Sequence, residues 1–253
     1  MNTQMQPRFF SQFGEDRILA KLFIGVLDGL CIEVGANDGE HGSTSLHFEQ
    51  SGWKCILVEP NPDLCKLIRS RRTASLHEYA ASDREELVTL HVVEGAVRAD
   101  GLSTISDDPI DHARIRGHGF RSRPVQVKTR KLDHILEDAG VDQEIAFISI
   151  DVEGHEMQVL KGLSLDRWRP RILLLEDNSE FEDNSIASYL KKKGYVRFLR
   201  TGVNDWYARS DDKRFVTAVS RLRFAAFVVG KKMKRRLKSI PGAMRLRDFM
   251  RGL

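Results

Sequence analysis

The feature that most limits how this chain can fold is a set of short, nearly continuous apolar runs. They lie at residues 30–34, 55–58, 145–150 and 172–175. Runs of this length that are rich in Ile, Leu and Val are typical of strands covered on both faces, as in a parallel sheet. Segments with helical spacing of apolar residues separate them. The sequence therefore predicts an α/β fold in which parallel strands are joined by crossover helices.

The remaining elements are predicted from residue spacing and turn residues. Helices are expected at 46–50, 62–72, 132–138 and 156–161. A weaker third strand is expected at 73–80 and an edge strand at 125–129. Residues 195–200 and 205–209 are expected to form a closing antiparallel pair.

The length of 253 residues favours one substantial domain, predicted at 1–210, with a separate tail at 211–253. Within the domain, residues 95–123 are rich in Gly, Asp, Arg and His and have no clear period. A compact domain normally uses a short connection at such a place. This segment is therefore predicted to be a lid or substrate insertion.

The composition excludes several classes of protein. A chain with 41% hydrophobic and 30% charged residues can bury a core, which excludes disordered and collagen-like chains. The three cysteines, Cys31, Cys55 and Cys65, are odd in number, and the first two lie in apolar runs, which favours reduced, buried thiols and a cytoplasmic location. No leader peptide is recognisable, and no uncharged apolar run reaches about 18 residues, so no membrane span is expected.

The turn after the first strand combines glycines with acids. Gly35 and Gly39 allow a ligand to approach the backbone, although many tight turns contain glycine for structural reasons alone. Glu33, Asp38 and Glu40 make the turn acidic, which disfavours a pyrophosphate. The same charge suits the ammonium and sulfonium groups of S-adenosylmethionine, which is the predicted cofactor.

The next two strands end in residues that fit the rest of such a cofactor. An acid at the tip of the second strand, Glu59, can accept hydrogen bonds from both ribose hydroxyls, or it can be a helix-start acid before Pro62. The third strand is followed by small residues, Ala80 to Ser82, where an adenine ring could lie beside Ser82 or Asp83.

Taken in order, five motifs resemble the FkbM family of methyltransferases. They are Val34-Gly-Ala-Asn-Asp-Gly39, Val58-Glu-Pro-Asn-Pro62, Ala80-Ala-Ser-Asp83, Thr129 with Leu132-Asp133, and Ile150-Asp-Val-Glu-Gly-His-Glu156 followed by Val159-Leu-Lys-Gly162. The resemblance extends from about residue 11 to 178 and includes the opening Ser11-Gln-Phe-Gly-Glu-Asp16. It implies a class I enzyme with a Rossmann-like, doubly wound, mostly parallel seven-stranded methyltransferase sheet. It also implies transfer of a methyl group from S-adenosylmethionine to a hydroxyl of a sugar, polyketide or other metabolite.

The resemblance also implies a set of cofactor-binding residues. The amino-acid part of the cofactor would be surrounded by Gly35, Ala36, Asn37, Asp38 and Gly39, and Glu59 with Pro60 and Asn61 would hold the ribose. Glu33, where the family more often has Asp, would meet the amine, and Ser43 near a helix start would meet the carboxylate. Ala81 and Ser82 would lie beside the adenine.

Catalysis requires removal of a proton from the acceptor hydroxyl, by a base or by a metal ion. Asp151 is the first candidate base and His155 the second, with Glu153 beside them; flanking carboxylates are expected to raise the basicity of His155. Mg²⁺ or Mn²⁺ is predicted to bind Asp151, Glu176 and Asp177, at the tips of neighbouring strands. The alternatives are that His155 is merely solvated, that Glu153 and Glu156 are structural, and that residues 176–178 only cap a loop.

The tail is strongly basic, with thirteen Lys or Arg and one acid between residues 213 and 253, against 27 bases and 35 acids in the remainder. Its apolar stretch beside a Lys/Arg cluster predicts a basic helical tail in peripheral contact with an anionic membrane, at the inner face of the cell membrane. Packing against the domain, packing against a second copy in a homo-oligomer, or plain solvation are the alternatives. The predicted enzyme is an O-methyltransferase acting on a glycan or glycosylated metabolite, with nucleic acid not expected as the substrate. The rival is a non-catalytic protein that keeps the nucleotide pocket and docks on membrane or RNA.

Overall fold

The computed structural model describes residues 8–94, 103, 105, 121–179 and 181–238. Eight helices within these residues are α1 (Glu15–Leu22), α2 (Leu46–Gln50), α3 (Pro62–Arg71), α4 (Leu132–Asp138), α5 (Glu156–Lys161), α6 (Leu165–Trp168), α7 (Ser185–Lys192) and α8 (Ala218–Lys238). The ten strands are β1 (Leu30–Val34), β2 (Lys54–Val58), β3 (Ser75–His77), β4 (Ala80–Ala81), β5 (Leu87–Glu94), β6 (Arg121–Arg130), β7 (Ile145–Ile150), β8 (Ile172–Glu176), β9 (Tyr195–Thr201) and β10 (Asn204–Arg209).

Seven strands form the central sheet, in the order β3-β2-β1-β7-β8-β10-β9. Neighbours from β3 to β8 are parallel, and β10 runs antiparallel to both β8 and β9. Along the chain, β1, β2 and β3 follow one another toward one edge of the sheet, and β7, β8 and the hairpin of β9 and β10 then extend it toward the other edge. The predicted doubly wound, mostly parallel sheet is confirmed, and its strand order reverses between β1 and β7.

Both faces of the sheet are covered, because side chains alternate between two buried clusters. Ile32 and Ile148 belong to an aliphatic cluster that includes residues from α4, α5 and α7. Cys31 and Phe147 belong to the opposite cluster, which is rich in aromatic rings and includes α1 and α2. Burial on both sides explains why the parallel strands are continuous apolar runs rather than alternating ones.

A second, three-stranded sheet of order β4-β6-β5 lies beside the first and corrects two predictions. The expected strand at 73–80 is split, because β3 ends at His77 and the next two alanines pair with Thr129 and Arg130 of β6. The expected edge strand at 125–129 is longer and central, since β6 pairs on its other side with β5 along eight residues. The predicted insertion at 95–123 follows β5 in the sequence, and its last three residues, 121–123, belong to β6 instead. Residues 95–102, 104 and 106–120 of it lie outside the described residues.

The opening motif Ser11–Asp16 lies beside the hairpin of β9 and β10, at one edge of the central sheet. Asp16 is fully buried and accepts hydrogen bonds from the amide and hydroxyl of Ser11. Glu15 is fully buried as well and accepts from Thr201 at 2.6 Å and Asn204 at 3.1 Å, in the turn between β9 and β10. Glu15 therefore binds this segment to the last hairpin, whereas Asp16 fixes the conformation of the segment itself.

The predicted helical tail is present as α8, and residues 239–253 of the tail lie outside the described part of the chain. Its residues Phe224 and Phe227 pack against Phe181, in the loop after β8. Among the helices that the structure describes, none has the length and apolar character needed to cross a lipid bilayer.

Candidate active site

A cleft with about 570 Å³ of empty space opens at the carboxyl ends of β1, β2 and β7, where the strand order reverses. Ligands of doubly wound sheets bind at this place. Eight residues predicted from the sequence line the cleft: Gly35, Asn37, Glu59, Pro60, Ala81, Asp151, Glu153 and His155.

The floor of the cleft depends on Gly35. Its φ of 83° is unfavourable for other residues, and a Cβ atom there would lie 1.8 Å from the backbone oxygen of Asp151. The Asp151 amide also donates to the carbonyl of Val34 at 3.0 Å. The tips of β1 and β7 therefore touch directly, and the glycine predicted for ligand approach is equally required by this contact.

Glu59 lies at the tip of β2 with its carboxylate fixed in position. One oxygen accepts from the amide of Asn37 and the other from the amide of Asn61, both at 2.9 Å. Only 6% of Glu59 is exposed, and this residue lines the cleft. The two amides fix the acid in the wall of the cleft, and its contact with a ribose stays a prediction.

Glu33 and Ser43 are positioned differently from the prediction. The buried Glu33 carboxylate accepts from the Ser43 hydroxyl at 2.8 Å and the Thr44 amide at 2.7 Å, and it also accepts from the Ser45 hydroxyl. Neither Glu33 nor Ser43 is among the cleft-lining residues. The geometry thus corrects the expected contacts with the cofactor's amine and carboxylate: this carboxylate fixes the segment that begins α2.

The other residues predicted in the turns after β1 and β2 are packed or hydrogen-bonded within the protein. Burial alone would raise the pKa of Asp38, but hydrogen bonds from His41, the Glu40 amide and Arg71 lower it to about 2. The Asn61 side chain caps α3 by accepting from the Asp63 amide at 3.1 Å. Ala36 is buried against Leu57 and Ile68, and a Cβ at Gly39 would lie 3.0 Å from Ile68. These residues shape the turn without lining the cleft.

Three carboxylates meet at the tips of β7 and β8. Ligand atoms of Asp151, Glu153 and Glu176 all lie within 4.8 Å of one another. Asp151 is open to the cleft but surrounded by protein, and this desolvation together with repulsion from Glu176 and Glu153 raises its pKa well above the usual range. A raised pKa makes the Asp151 carboxylate a stronger proton acceptor than an ordinary aspartate.

Asp177, predicted as a metal ligand, is not part of this cluster. Its carboxylate accepts from the Ser179 hydroxyl at 2.5 Å and from Arg200 at 3.2 Å. Desolvation would raise the pKa of Asp177, but these hydrogen bonds and the arginine charge lower it. The structure therefore replaces Asp177 by Glu153 in the set of oxygen atoms that could hold a divalent cation.

The loop that carries Asp151 and Glu153 is held by Glu156. Its buried carboxylate accepts from the amides of Val152 and Gly154, each at 3.2 Å. Burial raises the pKa of Glu156 to about 7, although these hydrogen bonds oppose the shift. Glu153 itself adopts φ of 55°, so the loop is tightly constrained. The structural alternative considered for Glu156 fits these contacts.

His155 is half-buried at the wall of the cleft, where its Nε2 lies 3.0 Å from the Ser82 hydroxyl. Desolvation lowers the pKa of His155, and the charge of Asp83 only partly opposes this. The expectation that flanking carboxylates raise its basicity is therefore wrong, because the carboxylate that acts on the ring is Asp83 and burial outweighs it. The imidazole is neutral at pH 7 and can accept a proton.

Sequence reasoning missed the apolar wall of the cleft. This wall is formed by Leu64, Tyr79, Leu90, Ile105 and Val152, with Ser103 beside them. The Ser103 hydroxyl oxygen accepts a hydrogen bond from the amide of Val93 at 3.1 Å, which connects the insertion to β5. An apolar wall next to Ala80 and Ala81 suits the flat face of an adenine ring.

The residues present fit both predicted ligands. The cofactor S-adenosylmethionine carries positive charge at its sulfonium and ammonium groups, and the cleft offers Glu59, Asp151 and Glu153. The oxygen set of Asp151, Glu153 and Glu176 is of the hard type that Mg²⁺ and Mn²⁺ prefer, and such an ion could lower the pKa of a bound hydroxyl.

The fold and the cleft together define a Rossmann-like enzyme of the class I methyltransferase type. The sequence profile of the methyltransferase FkbM domain matches residues 33–197, which is more than half of the chain. The chain belongs to the FkbM methyltransferase family, and it is a methyltransferase that uses S-adenosylmethionine. The family assignment favours the predicted enzyme over the non-catalytic alternative. No curated protein sequence matches the chain significantly.

Several solved structures resemble the fold at very low sequence identity. The precorrin-6y C5,15-methyltransferase of Geobacter metallireducens GS-15 is 10% identical, with 76% of this chain and 84% of that chain covered and a TM-score of 0.41. The C-terminal domain of precorrin-6Y C5,15-methyltransferase from Rhodobacter capsulatus is also 10% identical, with the same coverage and a TM-score of 0.36. TrmK of M. capricolum, solved with S-adenosyl-homocysteine, is 8% identical over 97% of this chain and 96% of that chain, with a TM-score of 0.39. These likenesses are too distant to carry an argument about the acceptor.

Proposed function

We propose that this methyltransferase transfers the methyl group of S-adenosylmethionine to a hydroxyl of a glycan or a glycosylated metabolite. The observation that carries the proposal is that two proton acceptors, Asp151 and His155, line the same cleft as the predicted ribose ligand Glu59. An alcohol needs such a partner because its own pKa lies far above 7. The sugar part of the proposal derives from the family resemblance.

Asp151 is the proposed general base. It is open to the cleft, and its raised pKa brings it toward the working pH, where a general base is most effective. As the acceptor oxygen attacks the methyl carbon, the carbon–sulfur bond breaks, the hydroxyl proton passes to the Asp151 carboxylate, and S-adenosylhomocysteine leaves. The protein supplies alignment and proton removal, since the sulfonium is already an activated leaving group.

Glycans and glycosylated metabolites from cells with and without the active protein provide the test. Mass spectrometry should find a species heavier by one methylene group only where the protein is active, and fragmentation should assign the added methyl to oxygen. Asp151→Asn should lower the rate of formation about 100-fold or more, the lower range for general-base catalysis. Methylation on carbon or nitrogen would contradict the proposed acceptor without removing the methyltransferase assignment.

A further inference from the structure

Helix α8 carries an apolar stripe that faces solvent. Val219, Leu222, Val229 and Met233 are exposed by 56%, 72%, 56% and 58% of their surfaces, and Ala226 is exposed between them. Their spacing of three or four residues places all five along one side of an α-helix. Large exposed apolar side chains that line up in this way are typical of an interaction surface.

The opposite side of α8 is attached to the domain. Phe224 and Phe227 lie edge-on to Phe181, with ring centroids 6.2 and 6.3 Å apart. The guanidinium of Arg197 in β9 lies 5.4 Å from the centre of the Phe224 ring. Because these contacts use the other side of the helix, the stripe remains available while α8 stays fixed to the body.

The charge of α8 has a single sign. Residues 218–238 contain eight basic side chains and no acid; the basic residues are Arg221, Arg223, Lys231, Lys232, Lys234, Arg235, Arg236 and Lys238. Arg221 and Arg223 are exposed, and at 100° per residue they fall on opposite sides of the stripe. An apolar stripe with basic residues at its borders is the pattern of a helix that lies in the surface of an anionic membrane.

We propose that α8 docks the enzyme on a lipid bilayer that contains anionic headgroups, with the stripe from Val219 to Met233 inserted among the acyl chains. A second copy of this chain is a poorer partner, because it would bring eight positive charges against eight without acids to pair them. A nucleic acid would satisfy the charges but leave the aliphatic stripe in water. Near an anionic surface each basic residue adds electrostatic attraction, and the stripe adds apolar burial.

The test uses the full chain and sedimentation with vesicles of phosphatidylcholine alone or of phosphatidylcholine with about a third phosphatidylglycerol. We expect binding to the anionic vesicles, and a bound fraction that falls steeply with added salt and without phosphatidylglycerol. Binding is measured without methyl transfer, so this result is independent of the proposed function. Failure to sediment with anionic vesicles would overturn the proposal.

Matched variants distinguish binding through the stripe from nonspecific hydrophobic adsorption. The double variant Leu222→Ser with Val229→Ser should weaken binding about tenfold or more, because two inserted apolar side chains are lost. The control, Ile24→Ser with Leu27→Ser, removes two side chains that are 78% and 83% exposed elsewhere, and it should bind like the original protein. Circular dichroism of each variant establishes that the fold is retained.

A second pair of variants tests the charges. Arg221→Gln with Arg223→Gln should weaken vesicle binding, whereas Lys191→Gln with Lys192→Gln, exposed at the end of α7, should not. If the stripe variant binds vesicles as tightly as the original protein, the insertion is refuted. If vesicle binding depends only on charge and is displaced by RNA, α8 is assigned to nucleic acid instead. If the protein forms a dimer that the stripe variant abolishes, and it does not bind vesicles, α8 is assigned to a second copy of this chain.

Discussion

The imidazole Nε2 of His155 lies 3.0 Å from the hydroxyl oxygen of Ser82, although 73 residues separate them in the chain. This contact joins the loop after β7 to the residue that follows β4, across the mouth of the cleft. It fixes the ring in the wall of the site, and burial at this place determines how the ring titrates.

The first prediction concerns that titration. Because burial disfavours the charged imidazolium, the pKa of His155 measured by NMR should lie below the value of 6.5 for a free side chain. Asp83→Asn removes the charge that partly opposes the shift, and it should lower the pKa further. A pKa above 6.5, or a rise in Asp83→Asn, would show that a carboxylate rather than burial controls the ring.

The second prediction concerns the cofactor. Glu59→Gln should weaken binding of S-adenosylmethionine about tenfold or more in calorimetric titration, because the variant loses an ionised acceptor for the ribose hydroxyls. Asp63→Asn, an exposed acid four residues away that does not line the cleft, is the control and should leave the affinity unchanged. Equal affinities in Glu59→Gln and the original protein would remove Glu59 as the ribose ligand.

The third prediction concerns the proposed metal ion. If the carboxylate cluster holds Mn²⁺, electron paramagnetic resonance should detect bound ion, and Glu176→Gln should weaken binding about tenfold or more. Asp177→Asn should have little effect, since Asp177 is paired with Arg200. A protein that binds no Mn²⁺, or one that depends on Asp177, contradicts the set derived from the geometry.

The fourth prediction concerns stability and pH. Glu156 binds its proton more tightly in the folded state, with a pKa of about 7, than in the unfolded state, near 4.5. Its contribution to the free energy of unfolding is therefore complete below pH 4.5, declines as pH rises to 7, and is absent above. The size of this decline is on the order of 2–3 kcal/mol.

Urea unfolding between pH 4 and 8 measures the effect. Glu156→Gln should lose this decline, whereas Glu86→Gln, an exposed control, should follow the original protein. Because Glu156 also helps to raise the pKa of Asp151, the difference between the two curves reports Glu156 together with its effect on that neighbouring acid. Parallel curves for Glu156→Gln and the original protein would contradict the assigned shift.

The fifth prediction separates strain from steric conflict at two glycines. Gly35 and Gly42 have φ of 83° and 78°, so alanine costs about 1 kcal/mol of backbone strain at either position. A Cβ at Gly42 meets nothing within 4 Å, but one at Gly35 meets the Asp151 oxygen at 1.8 Å. Gly35→Ala should therefore lower the free energy of unfolding by roughly 3 kcal/mol or more, and Gly42→Ala by about 1. Similar losses in thermal denaturation would falsify the close contact.

Much of the central sheet was predictable from the sequence because its strands are buried on both faces. The strands at 30–34 and 145–150 and the helices at 46–50, 132–138 and 156–161 begin and end at the predicted residues. The three cysteines are buried and form no disulfide, as expected from their apolar surroundings. Strand β5 was missed, although Val88, Leu90 and Val92 alternate with polar or exposed positions, which is the pattern of a half-buried strand.

The motifs that form the site were predictable from the sequence, but the directions in which their side chains point were not. A carboxylate at the end of a strand can face the cleft, as Glu59 does, or turn into a buried network, as Glu33 does, and the sequence is acidic in both places. For the same reason, Glu153 takes the place that was predicted for Asp177 in the carboxylate cluster. The arginine that binds Asp177 comes from β9, and only the folded sheet brings it there.

The missing Cβ at residue 35 has a mechanical consequence. The tips of β1 and β7 are in direct contact because Gly35 has no side chain. The amide of Gly35 donates to β2, and the amide of Asp151 donates to β1. The tips of β1 and β7 thus form one block that carries both Gly35 and Asp151. Under the proposed function, the separation between the bound methyl donor and the proton acceptor would be set by this block.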